Sequence, residues 1–208
     1  MKIQIKICGM KFSENIIEIA ALQPDYLGFI FYEKSPRNIT EKLPFINTEI
    51  KKVGVFVNAE ISEIMQKANE YQLDFIQLHG EETPEFCNKI QSKSLKVIKA
   101  FNVSNKFNFN TLNDYIESCT HFLFDTKGDY YGGNGNTFDW ELLSNYQLAK
   151  TYFLSGGVGV ENGDQIKEFL KNDYSKNCIA IDCNSKLEIA PGLKSIDKVK
   201  QLIDKIKN

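Results

Sequence analysis

The sequence contains little arginine and histidine, and its cysteines form no recognisable pairs. Only one of the 25 cationic side chains is an arginine, Arg37, and the only histidines are His79 and His121. A multi-histidine metal centre is therefore not expected. The cysteines are odd in number and contain no CxxC pair, which disfavours a disulfide framework and a zinc site; they are Cys8, Cys87, Cys119, Cys178 and Cys183. We expect no bound metal, and buried packing roles for most of these thiols.

Long apolar runs and an excess of one charge are also absent. No run reaches the length that spans a bilayer, and the N-terminus alternates apolar and polar residues instead of forming the core of a signal peptide. The net charge of −2 argues against nucleic acid or a membrane surface as the main partner. We expect a cytoplasmic protein whose residues 1–208 form one domain, as a monomer or weak homodimer, acting on a small molecule.

Short apolar and β-branched runs alternate with helix-like segments eight times. This count predicts a (β/α)8 (TIM) barrel, and an open doubly wound sheet is the alternative. The predicted strands are Ile3 to Cys8, Tyr26 to Phe31, Val53 to Val57, Phe75 to His79, Val97 to Phe101, Phe122 to Asp125, Tyr152 to Ser155 and Cys178 to Asp182. The predicted helices are Ser13 to Leu22, Ile61 to Tyr71, Pro84 to Gln91, Trp140 to Leu148, Asn162 to Leu170 and Ile196 to Ile206. The segments after strands two and five carry no clear signal.

Alternation within the strands predicts which side chains point into the barrel. In strand one, Ile3, Ile5 and Ile7 share the outer face. The inner face then holds Gln4, Lys6 and Cys8, and the same register points Gln77 with His79, Leu123 with Asp125 and Ala180 with Asp182 inward. Polar groups should therefore gather at the carboxyl ends of the strands, where barrel enzymes have their active sites.

Cys8 and Asp125 are the candidate catalytic residues. Cys8 ends strand one before Gly9, and Lys6 on the same face would favour the thiolate, which is able to act as a base. Asp125 ends a run of apolar residues that would desolvate its carboxyl and make it a proton donor. The alternatives are a packing role for Cys8 and a helix cap or lysine partner for Asp125. A base and an acid on different sides of one barrel mouth suggest isomerisation.

Two groups of residues are suited to anions. Arg37 follows strand two and offers a planar fork for a carboxylate or phosphate. Glycine-rich segments after strands six and seven, Gly132 to Gly135 and Gly156 to Gly159, let backbone amides approach an anion. Ser185 and Lys186 follow strand eight, and the loops after strands seven and eight are the usual phosphate site of such barrels.

Other residues at strand ends have structural explanations. His79 at the end of strand four is more simply a hydrogen-bonded scaffold residue than a catalytic one, and Asn58 is interpreted as a loop cap. Phe29, Phe31, Phe107 and Tyr130 are core or rim residues in the simplest interpretation, although one or two of them could stack on an aromatic substrate.

Several motifs together resemble the phosphoribosylanthranilate isomerase family of tryptophan biosynthesis, end to end and in order. They are Lys6-Ile7-Cys8-Gly9, Gly28-Phe29-Ile30-Phe31 with Ser35-Pro36-Arg37, Val53 to Asn58, Gln77-Leu78-His79-Gly80 and Phe138-Asp139-Trp140. The resemblance implies a cofactor-independent Amadori rearrangement of N-(5′-phosphoribosyl)anthranilate.

The same resemblance implies a role for each matching residue. Asp125 would protonate the furanose ring oxygen, and Cys8 would remove the C2 proton. Arg37 would hold the anthranilate carboxylate. The phosphate would be held by amides of Gly156, Gly157, Ser185 and Lys186, and Asp182 is a further substrate-binding candidate.

The chain departs from the family pattern in three places. Lys186 stands where the family usually has glycine, and its backbone is strained if that position needs a positive φ. Residues 156–162 replace the commoner Gly-Gly-Leu-x-Pro-Glu-Asn, and Ser195 stands where aspartate is usual.

Three other functions compete with this one. The first is the aminoaldose isomerase of histidine biosynthesis, which the cysteine ending strand one disfavours. The second is a noncatalytic phosphosugar-binding barrel. The third is a thiol redox protein using Cys8. A pair of Cys178 and Cys183 across a loop is a further alternative, but neither has a recognisable resolving context.

Overall fold

Eight parallel strands close into a barrel in chain order. The computed structural model describes residues 2–47, 49–126 and 140–207. The strands are β1 (Gln4–Ile7), β2 (Tyr26–Phe31), β3 (Lys51–Phe56), β4 (Phe75–Leu78), β5 (Lys96–Val103), β6 (His121–Thr126), β7 (Tyr152–Leu154) and β8 (Cys178–Cys183). β1 pairs with β8 from Gln4↔Ala180 to Ile7↔Cys183, which closes the sheet. The predicted barrel is confirmed, and the open sheet is wrong.

Helices connect several of the strands on the outside. They are α1 (Ser13–Ala21), α2 (Ile61–Tyr71), α3 (Pro84–Gln91), α4 (Gly163–Phe169) and α5 (Ile196–Lys207). Their apolar faces pack on the barrel because residues three or four apart lie on one side of a helix, as Ile16 and Ile19 do in α1. A short antiparallel pair, β9 (Glu188–Ala190) and β10 (Leu193–Lys194), follows β8.

Two predicted helices differ in the structure. The segment expected as a helix from Trp140 to Leu148 is a 3-10 helix over Trp140–Asn145, in which Trp140 and Leu143 are buried. The helix expected from Asn162 begins as a 3-10 turn over Val160–Asn162 before α4. The unclear segment after β5 contains a 3-10 helix, Phe109–Tyr115.

Side chains alternate between two apolar layers as the sequence predicts. Ile5 and Ile7 belong to the layer between strands and helices. A separate inner cluster fills the lower barrel; it comprises Tyr26, Val53, Phe75, Ile98, Ala100, Leu123, Phe153 and Ala180. Above this apolar plug most of the inward-facing residues are polar, with Ile30 and Val55 among them, so the plug forms the floor of a cavity at the carboxyl ends. In the described part of the chain, no helix has both the length and the apolar character needed to cross a membrane.

Candidate active site

A cavity opens at the carboxyl ends of the strands, with an empty volume of about 620 Å³ including its open mouth. Seven of the eight predicted site residues line it: Cys8, Asp125, Gly156, Gly157, Asp182, Ser185 and Lys186. The eighth, Arg37, does not. Its side chain lies beside Gly9, where an added Cβ would be 2.8 Å from Arg37 Cδ. Arg37 therefore lies next to the cavity, close to the Cys8 end.

The Cys8 thiol sits in a tight, buried position at the end of β1. Only 4% of the residue is exposed, and its backbone N–H donates to the Cys183 carbonyl at 2.8 Å. Gly28 on the neighbouring strand makes room for it, since a Cβ there would lie 2.8 Å from Cys8 Sγ. Gly9 adopts a φ of +74°, a backbone angle that favours glycine.

Burial dominates the protonation of Cys8. It raises the pKa of the thiol, while Lys6 and Lys194 act in the opposite direction without cancelling it. The expectation that Lys6 favours the thiolate is right about the direction of its effect. It is wrong about the outcome, because the apolar walls that fix the thiol also desolvate its charged form.

Lys6 connects several polar groups inside the barrel. Its fully buried ammonium donates to Asp182 Oδ1 at 2.9 Å and to Gln77 Oε1 at 2.8 Å. Burial opposes the charge, but Asp182 raises the pKa of Lys6. The Asp182 carboxylate thus faces the cavity and is at the same time fixed by an ion pair.

Asp125 is more exposed than the sequence suggests. Its side chain is 28% accessible, and Oδ2 lies 3.4 Å from His79 Nε2. Phe122 and Phe124, which precede it, point into the outer layer, so they do not surround the carboxyl. The expected desolvation by these neighbours is therefore wrong. His79 lines the same cavity, a position compatible with more than a scaffold role.

The loop after β7 is shaped to expose backbone amides. Gly156 and Gly157 have φ of +92° and +66°, and a Cβ on Gly157 would meet nothing within 4 Å. Asn162 holds the loop, since its amide donates to the Gly157 carbonyl at 2.8 Å and its Oδ1 accepts from Gly159 N–H at 2.9 Å. Open space above left-handed glycines is the geometry in which backbone amides bind an anion.

The loop after β8 forms a 3-10 turn over Ser185–Leu187. Lys186 lies inside this right-handed turn, so its replacement of the family glycine causes no backbone strain. Its ammonium is 3.5 Å from Glu161 Oε1 of the neighbouring loop, and both side chains are exposed. Lys186 thus places a positive charge between the two loops.

The guanidinium of Arg37 is gripped by a carboxylate of the chain itself. Nε donates to Glu188 Oε1 at 2.8 Å and Nη2 to Oε2 at 2.6 Å. Lys194 also donates to Glu188 Oε1 at 2.8 Å and to Asn184 Oδ1 at 2.8 Å. Burial alone would raise the pKa of Glu188, but the bonds from Arg37 and Lys194 outweigh it and lower the pKa to about 2.

Sequence reasoning gave no role to Glu188, Lys194, Asn162 or Gln77, because each acts on another side chain or on a loop. Two signals were available: the position of Glu188 just after the predicted phosphate loop, and the predicted inward direction of Gln77. Asn58 does cap a loop, accepting from Glu81 N–H at 2.7 Å. The predicted segment Gly132 to Gly135, with Tyr130, Phe138 and Asp139, lies outside the described residues.

Metal and disulfide chemistry find no support in the described part of the chain. No group of three or more histidine, cysteine or acidic residues there could hold a metal ion. All five cysteines are buried and unpaired. The proposed pair of Cys178 and Cys183 is wrong, because the two residues stand at opposite ends of the extended strand β8.

The strands form a closed barrel, and a thiol, a carboxyl and two amide-bearing loops surround one cavity at their carboxyl ends. This arrangement defines a (β/α)8-barrel enzyme. The sequence profile of N-(5′-phosphoribosyl)anthranilate (PRA) isomerase matches residues 5–205. The chain therefore belongs to the phosphoribosylanthranilate isomerase family, the isomerases of tryptophan biosynthesis.

Individual relatives agree with the profile. The N-(5′-phosphoribosyl)anthranilate isomerase of Parabacteroides distasonis is 44% identical over 208 residues, covering 97% of this chain and 92% of the relative. The crystal structure of the Thermotoga maritima enzyme is 36% identical with a TM-score of 0.83, covering 99% and 98% of the two chains. A further phosphoribosylanthranilate isomerase structure contains reduced 1-(o-carboxyphenylamino)-1-deoxyribulose 5-phosphate; it is 33% identical with a TM-score of 0.79, at 99% and 98% coverage. These matches favour the tryptophan-pathway isomerase over its histidine-pathway rival and over a noncatalytic barrel.

Proposed function

We propose that this chain converts N-(5′-phosphoribosyl)anthranilate into 1-(2-carboxyphenylamino)-1-deoxyribulose 5-phosphate, with Asp125 as general acid and Cys8 as general base. The observation that carries the proposal is that both residues line one cavity together with the amide-bearing loops after β7 and β8. A named relative with a reduced product analogue bound supports the choice of substrate.

The reaction is an internal transfer of hydrogen within the sugar. Asp125 gives a proton to the furanose ring oxygen as the C1–O bond breaks, and the nitrogen lone pair forms the C1=N bond of the Schiff base. The Cys8 thiolate then removes the C2 proton, and the electrons of that bond form the C1=C2 bond of an enolamine as the π electrons of the C1=N bond return to the nitrogen. Loss of the enol O–H proton and protonation of C1 give the ketone. C2 is oxidised and C1 reduced, so no cofactor is required.

The two anionic ends of the substrate correspond to two parts of the site. The phosphate would be held by amides of Gly156, Gly157, Ser185 and Lys186, aided by the Lys186 charge. The anthranilate carboxylate would bind Arg37. Since Glu188 uses the Nε and Nη2 edge of the guanidinium, the substrate would take the edge formed by Nη1 and the second hydrogen of Nη2. Asp182 would contact the sugar from the cavity wall.

Buried positive charge limits the rise in the pKa of Cys8 that burial causes. Lys6 and Lys194 both lower it, and their effect strengthens as the substrate excludes water from the cavity. The thiolate is the minor form near neutral pH, which is acceptable for a base that works once per turnover in a desolvated site.

The test is a fluorescence assay for loss of phosphoribosylanthranilate by the purified chain and its variants. Cys8→Ser and Asp125→Asn should each lower kcat by about 10²- to 10⁴-fold, because each removes a proton transfer. Cys183→Ser is the matched control, since this thiol lies beside β1 but faces the outer layer, and it should keep wild-type kcat. Failure of the wild-type chain to consume the substrate refutes the proposed reaction. Near-normal turnover in either site variant refutes the role given to that residue.

Assembly and location stay predictions. We expect a monomer or weak homodimer in the cytoplasm. One similar structure, 31% identical, is described as monomers generated from the dimeric Thermotoga maritima enzyme. Sedimentation equilibrium of the purified chain over a range of concentrations measures its own state.

A further inference from the structure

A row of polar side chains crosses the barrel from β8 to β6 along the wall of the cavity. Asp182 Oδ1 accepts from Lys6 Nζ at 2.9 Å, and Gln77 Oε1 accepts from the same ammonium at 2.8 Å. Gln77 Nε2 lies 2.9 Å from His79 Nδ1. At the far end, His79 Nε2 is 3.4 Å from Asp125 Oδ2. Lys6 is fully buried and Gln77 is 1% exposed, so water does not reach the middle of the row.

The chemistry of Lys6 fixes the orientation of the Gln77 amide. An ammonium has three donors and no acceptor, so only the amide oxygen can face it. The amide nitrogen, which carries two hydrogens, must then point at the imidazole. A flipped amide would bring donor against donor at Lys6 and leave a buried ammonium without one of its partners.

The orientation of the amide in turn fixes the tautomer of His79. Since Gln77 donates to Nδ1, that nitrogen must carry a lone pair, and the single proton of the neutral ring must be on Nε2. Protonating the ring fully would set Nδ1–H against the amide hydrogens. The Nε2–H group is the one that faces Asp125.

A second buried lysine holds the backbone on both sides of His79. Lys99, 3% exposed, donates to the carbonyls of Leu78 at 3.3 Å and Gly80 at 2.9 Å. The ring is thus oriented by Gln77 and its main chain by Lys99. Such fixed placement is what a group must have if it is to orient another side chain.

We propose that His79 is a positioning residue for Asp125, and that Lys6, acting through Gln77, keeps it as the neutral Nε2–H tautomer. The inference rests on the proposed role of Asp125 as proton donor. Nε2–H directs the Asp125 side chain and donates to the carboxylate that forms when Asp125 gives its proton to the sugar. This donation is absent from substrate binding, so it acts on kcat and not on KM.

The tautomer can be measured directly by ¹⁵N NMR of the imidazole rings. The chain has only two histidines, and His121→Gln removes the signals of the other one. We expect His79 to show a protonated Nε2 and an unprotonated Nδ1 near neutral pH. A ring with its proton on Nδ1, or an imidazolium, overturns the inference.

Gln77→Glu tests the transmission from Lys6. The carboxylate keeps the bond to the ammonium but has no hydrogen for the ring, so a proton should now appear on Nδ1 of His79. An Nδ1 that stays unprotonated in the folded variant overturns the inference. If this variant does not fold, the wild-type spectrum and the kinetics of the His79 variants still test the inference.

The kinetic test compares His79→Ala with His79→Gln. Removing the ring should lower kcat by about 10- to 100-fold with little change in KM, the scale expected for a misplaced catalytic group. A glutamine amide reaches approximately as far as Nε2 and should recover most of that loss, which a simple packing role would not explain. Wild-type kcat in His79→Ala, or a loss in KM alone, overturns the inference.

The double variant separates this inference from the proposed function. If His79 acts through Asp125, adding His79→Ala to Asp125→Asn should cost nothing further. An additive loss overturns the inference while Asp125 keeps its role. Near-normal turnover in Asp125→Asn alone refutes the proposed function instead, and the NMR pattern of His79 is read independently of turnover.

Discussion

Arg37 and Glu188 form a two-bond ion pair across 151 positions of sequence, at 2.8 Å and 2.6 Å. It joins the loop after β2 to the segment after β8. The guanidinium is thus fixed before any ligand arrives, with one of its two edges already used.

Arg37→Lys should raise KM for phosphoribosylanthranilate by about 10- to 100-fold, with a smaller change in kcat. Lysine cannot hold Glu188 through two bonds and offer a second edge to a substrate carboxylate. Steady-state kinetics measure both constants. Lys34→Ala is the control, because this exposed lysine lies in the same loop and should keep the wild-type KM. An unchanged KM in Arg37→Lys argues against the carboxylate contact.

Glu188 should make the stability of the protein depend on acid pH. The folded-state pKa, about 2, lies below the ordinary value of 4.5. Its contribution is therefore complete above about pH 4.5 and is lost as the pH falls toward 2. Urea unfolding at pH 6, 4 and 3 should show a shallower decline in Glu188→Gln than in the wild type. If the free energy of unfolding falls equally in both proteins, the Glu188 carboxylate does not contribute to the pH dependence of stability.

Gly28→Ala should displace the Cys8 thiol. The new methyl group would lie 2.8 Å from Sγ and 3.0 Å from the Cα of Cys8, so either the backbone or the side chain of Cys8 must shift. We expect kcat to fall and the free energy of unfolding to drop by about 1–3 kcal/mol. Gly54→Ala is the matched control, since its methyl group collides with Leu73 in the outer layer. It should lose stability but keep kcat; equal losses of kcat in both variants would contradict a specific effect on Cys8.

Lys186→Gly, which restores the usual family residue, should leave the fold intact and weaken phosphate binding. The 3-10 turn does not depend on lysine, but the charge beside the glycine loop is lost. Inhibition by inorganic phosphate should weaken by about 3- to 10-fold, as expected for one partly exposed charge. Lys171→Ala, a surface lysine paired with Glu168, should leave inhibition unchanged. Undiminished inhibition in Lys186→Gly removes Lys186 from the phosphate site.

The barrel itself could be predicted because local pattern and global fold agree. Strands β2 to β8 alternate between the inner cluster and the outer layer, and β1 alternates between the outer layer and inward-facing polar residues. The same alternation points Cys8, Asp125 and Asp182 toward the cavity. The Lys186 turn and the 3-10 helix after Trp140 were less accessible, because short helices depend on packing more than on propensity.

The contacts that could not be predicted join residues that lie far apart in the sequence. The partner of Arg37 lies 151 residues away, and that of Lys6 lies 176 residues away. The protonation of Cys8 depends on a balance between burial and two lysines. A sequence names these groups, but only coordinates give the distances that decide between opposing effects.

The placement of Glu188 has a consequence for the kinds of molecule this barrel can accept. Glu188 is the residue directly after the turn Ser185–Leu187. The carboxylate that holds Arg37 and the phosphate loop therefore belong to one short stretch of chain. The distance between the carboxylate site at Arg37 and the phosphate site is thereby fixed. Evolving this enzyme toward a longer or shorter ligand would require remodelling both binding sites together, and exchanging a single loop would not suffice.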